Sequence, residues 1–271
     1  MYLVDRSGNA FGTRDLPDGI GGRLAAAALE VDRLAGSGAA HRALAEFGSV
    51  VAVDMGVPYP WAVRVCCWAA AVAEPDVSRA LDWAVRRAPH GHRLVAPTAE
   101  GPWDRAGLVV RDRLPAFALS AGHASEMHRP APRGLEIGPP DGLDELHEGY
   151  GGWMADPELA RGLVVAEDLA RPERGFLVAR ADGAVVGCAL VWWVAGTAYL
   201  SGLGVVAEHR GLGYGSALTV AAAQLGAAGP PGGTAPDLVW MHATPEGAAV
   251  YARLGFVPAG EEVQLGPAGG P

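Results

Sequence analysis

The chain has no lysine: all 21 of its basic residues are arginine. With 39 glycines and abundant alanine, this reads as the coding bias of a GC-rich bacterial genome and not as a functional choice. Cysteine is scarce too. Cys66, Cys67 and Cys188 show no metal-ligand spacing and are odd in number, which argues against a disulfide scaffold and predicts reduced core thiols in a cytoplasmic protein with no metal site. No apolar run reaches membrane-spanning length, since the best, residues 61–73, contains Arg64. The opening residues MYLVDRSGNAFG lack the basic and apolar regions of a signal peptide, so neither export nor a membrane partner is expected.

Acidic charge is unevenly spread. Residues 1–133 hold 15 Arg and 14 acids, whereas residues 134–271 hold 6 Arg and 16 acids. An acidic second half attracts a cationic amine and repels nucleic acid, although solubilising charge accounts for it equally well. At 271 residues, half of them hydrophobic, the chain suits one large or two small α/β domains.

The most informative stretch is residues 200–215, LSGLGVVAEHRGLGYG. It begins with strand-forming residues, breaks into a loop at His209, and leads into an apolar helical pattern from Ala217. Glycines at alternate positions strip Cβ atoms from a turn that opens a helix, so backbone N–H groups and the helix dipole can converge on an anion. The loop is too short for G-x-x-x-x-G-K-[ST] and no Lys follows it; G-x-G-x-x-G fails at Ser216. R-x-x-G-x-G fits Arg210, Gly213 and Gly215.

On this loop the sequence resembles the GNAT family of acyl-CoA-dependent N-acyltransferases. A second stretch, residues 237–257, strengthens the likeness. It reads as a buried strand, a helix opening at Pro245, a C-cap at Gly255 and a further strand. Against N-x-x-A-x-x-x-Y-x-x-x-G-F it keeps Tyr251, Gly255 and Phe256 but has Thr244 and Gly247 at the first two positions. The resemblance implies acetyl-CoA as co-substrate, its diphosphate on Arg210, Gly211, Gly213, Tyr214, Gly215 and Ser216. It places the pantetheine arm along the backbone of Leu203 and Val205, and makes Tyr251 the acid for the leaving thiolate. The strand carboxylate that many relatives use as base is absent from residues 199–206; ordered water is the family's other route, and His242, on the strand leading to Tyr251, is a candidate proton relay, although a histidine on an apolar strand also suits the core. Glu148, Asp156 and Trp193 are candidate acceptor-binding residues, with Glu167 and Asp168 behind them. Since Trp192 and Trp193 point to opposite faces of a strand, only one of the two can line a site.

In the first half, residues 1–4 and 49–55 read as strands and residues 21–34, 41–47 and 78–88 as helices; residues 93–96 form a short strand. Residues 103–109, WDRAGLV, share the aromatic-x-x-x-Gly-apolar-Val spacing of residues 251–257. That predicts an internal repeat: two GNAT-like lobes, each a mixed twisted sheet flanked by helices. The boundaries fall at 1–133, degenerate and including a linker at 120–133, and 134–271, catalytic. Residues 54–61, DMGVPYPW, stand where the first lobe's cofactor loop would be, so no coenzyme is expected there.

The expected function is direct acyl transfer from acetyl-CoA to a small-molecule amine, with a homodimer left open. Two alternatives stand beside it. One is an amide-forming transferase with an aminoacyl-tRNA donor, favoured by nine Arg against five acids in residues 79–133. The other is a non-catalytic acyl-CoA-binding regulatory module.

Overall fold

The computed structural model describes Leu16 and residues 19–69, 71–88 and 91–268. The strand expected at residues 1–4 lies outside them. The first half runs α1 (Ile20–Ala35), β1 (Ala43–Phe47), β2 (Val50–Asp54), β3 (Val63–Cys66), α2 (Glu74–Arg87), β4 (Arg93–Ala96) and β5 (Leu108–Ser120). A short helix, α3 (Ala121–Glu126), bridges to the second half. There follow β6 (Leu135–Gly138), α4 (Leu143–Met154), α5 (Pro157–Leu163), α6 (Ala166–Leu169), β7 (Arg174–Ala181), β8 (Ala184–Val194) and β9 (Thr197–Val205). The chain closes with α7 (Tyr214–Ala228), β10 (Leu238–His242), α8 (Pro245–Arg253) and β11 (Val257–Pro267).

Local chemistry explains most boundaries. Asp182 and Gly183 both have positive φ and close the β7–β8 hairpin tightly. The Asp156 carboxylate accepts from the Leu159 amide and caps α5, with Pro157 at its first position. Thr244 and Pro245 open α8 in the same way, and Gly255, at φ 93°, ends it.

The two sheets expected from sequence are one. Eleven strands lie in the order β1-β2-β3-β4-β11-β5-β10-β9-β8-β7-β6. β5 follows β4 in sequence, yet pairs antiparallel with β10 along Leu238↔Ser120 to His242↔Ala116. β11 follows β10, yet pairs with β4 through Val263↔Ala96 to Leu265↔Leu94. Each half gives its last strand to the other, and the two exchanged strands pair with each other along ten registered residues. The parallel pairs β3–β4 and β9–β10 take equivalent places on either side.

The repeat of Trp103 and Tyr251 follows this symmetry. Trp103 is buried, Gly107 takes φ 66°, and Leu108 opens β5, as Gly255 and Val257 do for β11. The first copy has shrunk: a three-residue 3-10 turn, Asp104–Ala106, replaces the nine-residue α8.

Helices α2 and α7 cover one face of the sheet, and α1 and α4 the other. Residues 41–47, expected as a helix, contain strand β1. Their Ala and Leu residues carry helix propensity, but ALAEF alternates half-buried and exposed, the period of a strand. The linker at 120–133 holds α3, whose Ala121 and Ala124 are buried in the core that includes α7. The first-half counterpart of the glycine loop is residues 67–73, between β3 and α2, and not residues 54–61.

The exchange makes a direct prediction. Residues 134–271 expressed alone lack β5, leaving β10 with an unpaired apolar edge. We expect that fragment to aggregate or lack a cooperative thermal transition by circular dichroism, and co-expression with 1–133 to restore it. A fragment that melts cooperatively at the full chain's temperature would contradict the exchange.

Candidate acyl-transfer site

β9 and β10 run parallel only from Leu238↔Thr197 to Trp240↔Tyr199. Beyond that pair β9 continues to Val205 and β10 to His242 without pairing, so a slot opens in the sheet. A register shift between Cys188 and Leu190 bulges β9 at the same level, where Gly202 takes φ 56°. A Cβ on Gly202 would fall 1.8 Å from the Tyr150 hydroxyl, and one on Gly204 2.2 Å from the Trp153 ring. Glycine there lets α4 lie directly on the strand.

At one end of β9 stands the glycine loop. Arg210 Nε donates to the Val205 carbonyl at 3.0 Å and pins the loop to the strand. Gly211 and Gly213 take φ 81° and 85°, and α7 begins at Tyr214. The amides of Tyr214, Gly215 and Ser216 fall in its first turn, which holds no acid, so the dipole is unopposed. A Cβ on Gly211 would meet nothing within 4 Å; one on Gly213 would come within 3.6 Å of Pro132 and 3.7 Å of Arg129. Open backbone, free amides and no carboxylate fit an anionic diphosphate.

Behind the slot, on the α1 and α4 face, lies a cavity of about 270 Å³. Trp61, Trp153, Trp192 and Trp240 wall it, and Ser201 and His242 sit where it meets the slot. His242 Nδ1 lies 3.4 Å from the Tyr199 hydroxyl and 3.9 Å from Glu262 Oε2, and its ring stacks on Trp68. Burial pushes the His242 pKa down against the pull of Glu262. Burial alone would raise Glu262, but Arg64 at 2.7 Å outweighs it and holds the carboxyl below the usual range. Asp32, also beside Arg64, is instead pushed up by burial and accepts from the Trp68 indole at 3.0 Å.

Tyr251 occupies the opposite face. It is 8% exposed, packs edge-on against Phe117 and Phe256, and burial raises its pKa, so the phenol keeps its proton at neutral pH. Among the described residues its hydroxyl makes no hydrogen bond. The thiols are unsuited to nucleophilic work: burial pushes Cys67 and Cys188 up to about 12, and raises Cys66 well above the ordinary thiol range.

Of the expected acceptor residues, none reaches the cavity. Glu148 is exposed on α4. Asp156 is committed to capping α5 and accepts from the Tyr59 hydroxyl. Trp193 points into the α7 core and donates to the Gly226 carbonyl at 2.9 Å. Its neighbour Trp192 lines the cavity instead and donates to Ser201 Oγ at 2.9 Å. Asp168 does reach the region, bound between arginines. Sequence reading missed Asp32, Arg64 and Glu262, which carry no local motif. Several arginines of residues 79–133 are spoken for: Arg79 pairs with Asp76, Arg87 with Asp54 and Arg113 with Glu261.

Comparison with known proteins finds a likeness in this region. Residues 172–258, from just before β7 to the start of β11, match the family described as acetyltransferase (GNAT) domain. This segment is similar to GNAT domains. The match supports an acyl-CoA-dependent acetyltransferase. Among solved structures, a GCN5-related N-acetyltransferase from Kribbella flavida is 21% identical, with 94% of this chain and 98% of that one covered and a TM-score of 0.67. A tandem GNAT protein from the clavulanic acid biosynthesis pathway is 19% identical, with coverage of 95% and 97% and a TM-score of 0.59. A GCN5-related N-acetyltransferase from Sphaerobacter thermophilus is 18% identical, with coverage of 80% and 76% and a TM-score of 0.52. These likenesses establish a shared fold, including the tandem arrangement. No curated protein sequence matches the chain. No helix among the described residues is long and apolar enough to cross a membrane, and no cluster there could hold a metal ion.

Gly213→Val places a β-branched residue at φ 85° and turns the loop amides away from their common focus. We expect acetyl-CoA affinity, measured by calorimetry on the folded variant, to fall by about tenfold or more, the loss of roughly one charge-assisted hydrogen bond. Gly215→Ala, whose new Cβ would meet no protein atom closer than 3.9 Å, should fold and melt as wild type and serves as the folding control. Undiminished affinity in Gly213→Val would remove the loop from the site.

Proposed function

We propose that the protein transfers an acyl group, most simply acetyl, from coenzyme A to the nitrogen of a small-molecule amine, by direct attack. The supporting observation is the slot. It lies between the glycine loop and the cavity, with His242 on one face of the sheet and Tyr251 on the other, which supports a proton acceptor and a proton donor on either side of a bound thioester. On this reading the protein is a cytoplasmic bacterial enzyme that needs no metal.

Arg210, Gly211, Gly213, Tyr214, Gly215 and Ser216 would hold the diphosphate, and the edge of β9 at Leu203 and Val205, beyond its pairing with β10, the pantetheine arm. Bound acetyl-CoA would supply a thioester open to attack by a neutral amine, with a thiolate that needs a proton on leaving. His242 Nδ1, neutral because it is buried, takes the amine's proton, directly or through the Tyr199 hydroxyl. The Glu262 carboxylate favours the imidazolium that results. Tyr251 keeps its proton at neutral pH in its apolar surroundings and would donate it to the departing thiolate. Backbone N–H groups at the bulge can polarise the acyl carbonyl.

Free-thiol release from acetyl-CoA with candidate amines tests this reading. A protein that binds acetyl-CoA yet releases no thiol with any amine is a sensor, and nuclease-sensitive activity would point to a tRNA donor. Tyr251→Phe should lower turnover about 100-fold or more while leaving acetyl-CoA affinity unchanged. Equal rates would assign the acid elsewhere.

The pH profile has a defined sign. His242 is depressed, so its proton-accepting form persists as pH falls below the ordinary histidine value of about 6.5 and is lost only at lower pH. The acidic limb of turnover should therefore lie below about 6.5 and vanish in His242→Gln. An unchanged limb in that variant would exclude His242 as the base.

A further inference from the structure

At the end of the cavity away from the slot, two arginines are buried with too little to bind. Arg42 and Arg174 have side chains 2% and 4% exposed, and both line the cavity. One carboxylate serves them: Asp168 lies 2.8 Å from Arg42 Nη2 and 2.7 Å from Arg174 Nη1. Arg171 is a third cation, 3.9 Å from the same carboxylate. At least one positive charge is left uncompensated in a buried place, where charges persist only when paired. The hydrogen bonds are short as well: the Nε groups of both Arg42 and Arg174 are buried without an acceptor among the described residues. The Arg174 guanidinium is held flat on the cavity wall, 3.5 Å from the Trp192 ring centroid, and Trp192 is tied in turn to Ser201 at the slot. A fixed, planar, donor-rich group facing a small cavity matches a carboxylate.

We infer that the acceptor is an amino carboxylate, bound with its carboxylate on Arg174 and Arg42 and its amine at the slot beside His242. This rests on the acyl-transfer reading only for the placement of the amine; the anion site stands on the two arginines. The four tryptophans that wall the cavity favour an apolar body over a polar one.

The test uses the full-length protein and calorimetry. The probes are the protein α-amino acids and the ω-amino acids from β-alanine to 6-aminohexanoate, each beside its decarboxylated amine. At least one amino carboxylate should bind about tenfold or more tightly than its amine, the loss expected for a charge-assisted pair. Arg174→Gln should abolish that preference while leaving the amine's affinity unchanged. The preference is a ratio within one variant, so general destabilisation would not move it; thermal melting confirms folding. Binding of none of the amino carboxylates, amines that bind equally well, or an aminophosphonate that binds more tightly than its carboxylate would each overturn the inference. Thiol release measured on the same panel separates the two proposals. A decarboxylated amine acetylated as well as its amino acid sinks the carboxylate site alone. Tight binding of amino carboxylates without thiol release sinks acyl transfer alone.

Discussion

The reciprocal pairing of β5 and β11 at the centre of the sheet is the constraint on which the rest depends. A strand pair ten residues long joins halves that sequence would separate. Because each half's last strand completes the other's sheet, neither can satisfy its backbone hydrogen bonds alone. The exchange also carries β11, and with it Glu262, across to β4 and within 2.7 Å of Arg64 on β3. The first half therefore contributes side chains to the candidate site. It supplies the cation that keeps Glu262 ionised, the α1 wall with Asp32, and Arg42.

Burying so much charge between two halves is costly unless every group finds a partner. At the slot end two carboxylates share one cation: Glu262 meets Arg64 and Gln264, and Asp32 meets Arg64 and Trp68, with Arg64 Nε left without a hydrogen bond. At the far end the balance is reversed, with Arg42 and Arg174 on the single carboxylate of Asp168 and with unused donors. An end rich in carboxylates beside His242 and an end rich in cations are different uses of the same buried chemistry.

The parts of the site that were legible in the sequence are local. Gly211, Gly213 and Gly215 declare a turn that opens a helix, because spacing along the chain is spacing in space when a strand turns into a helix. Tyr251 and Gly255 are legible for the same reason. What sequence hid is made by long-range pairing. Arg64 and Glu262 are 198 residues apart, and β3 lay inside an apolar run read only for its length. Trp192 and Trp193 show the limit of period-two reasoning: alternation says that they face opposite ways, but only the sheet's neighbours say which face holds the cavity. The β1 segment failed because alanine and leucine carry helix propensity wherever they occur, and burial against β2 overrode it.

The central claim is that one coenzyme site exists, in the second half, running from the slot to the glycine loop. Amide hydrogen exchange followed by mass spectrometry, with and without acetyl-CoA, addresses it most directly. The account predicts new protection over residues 203–216, the free end of β9 through the first turn of α7, and none over the equivalent stretch 67–73. Protection centred on residues 67–73, or none at residues 203–216 at saturating acetyl-CoA, would contradict it.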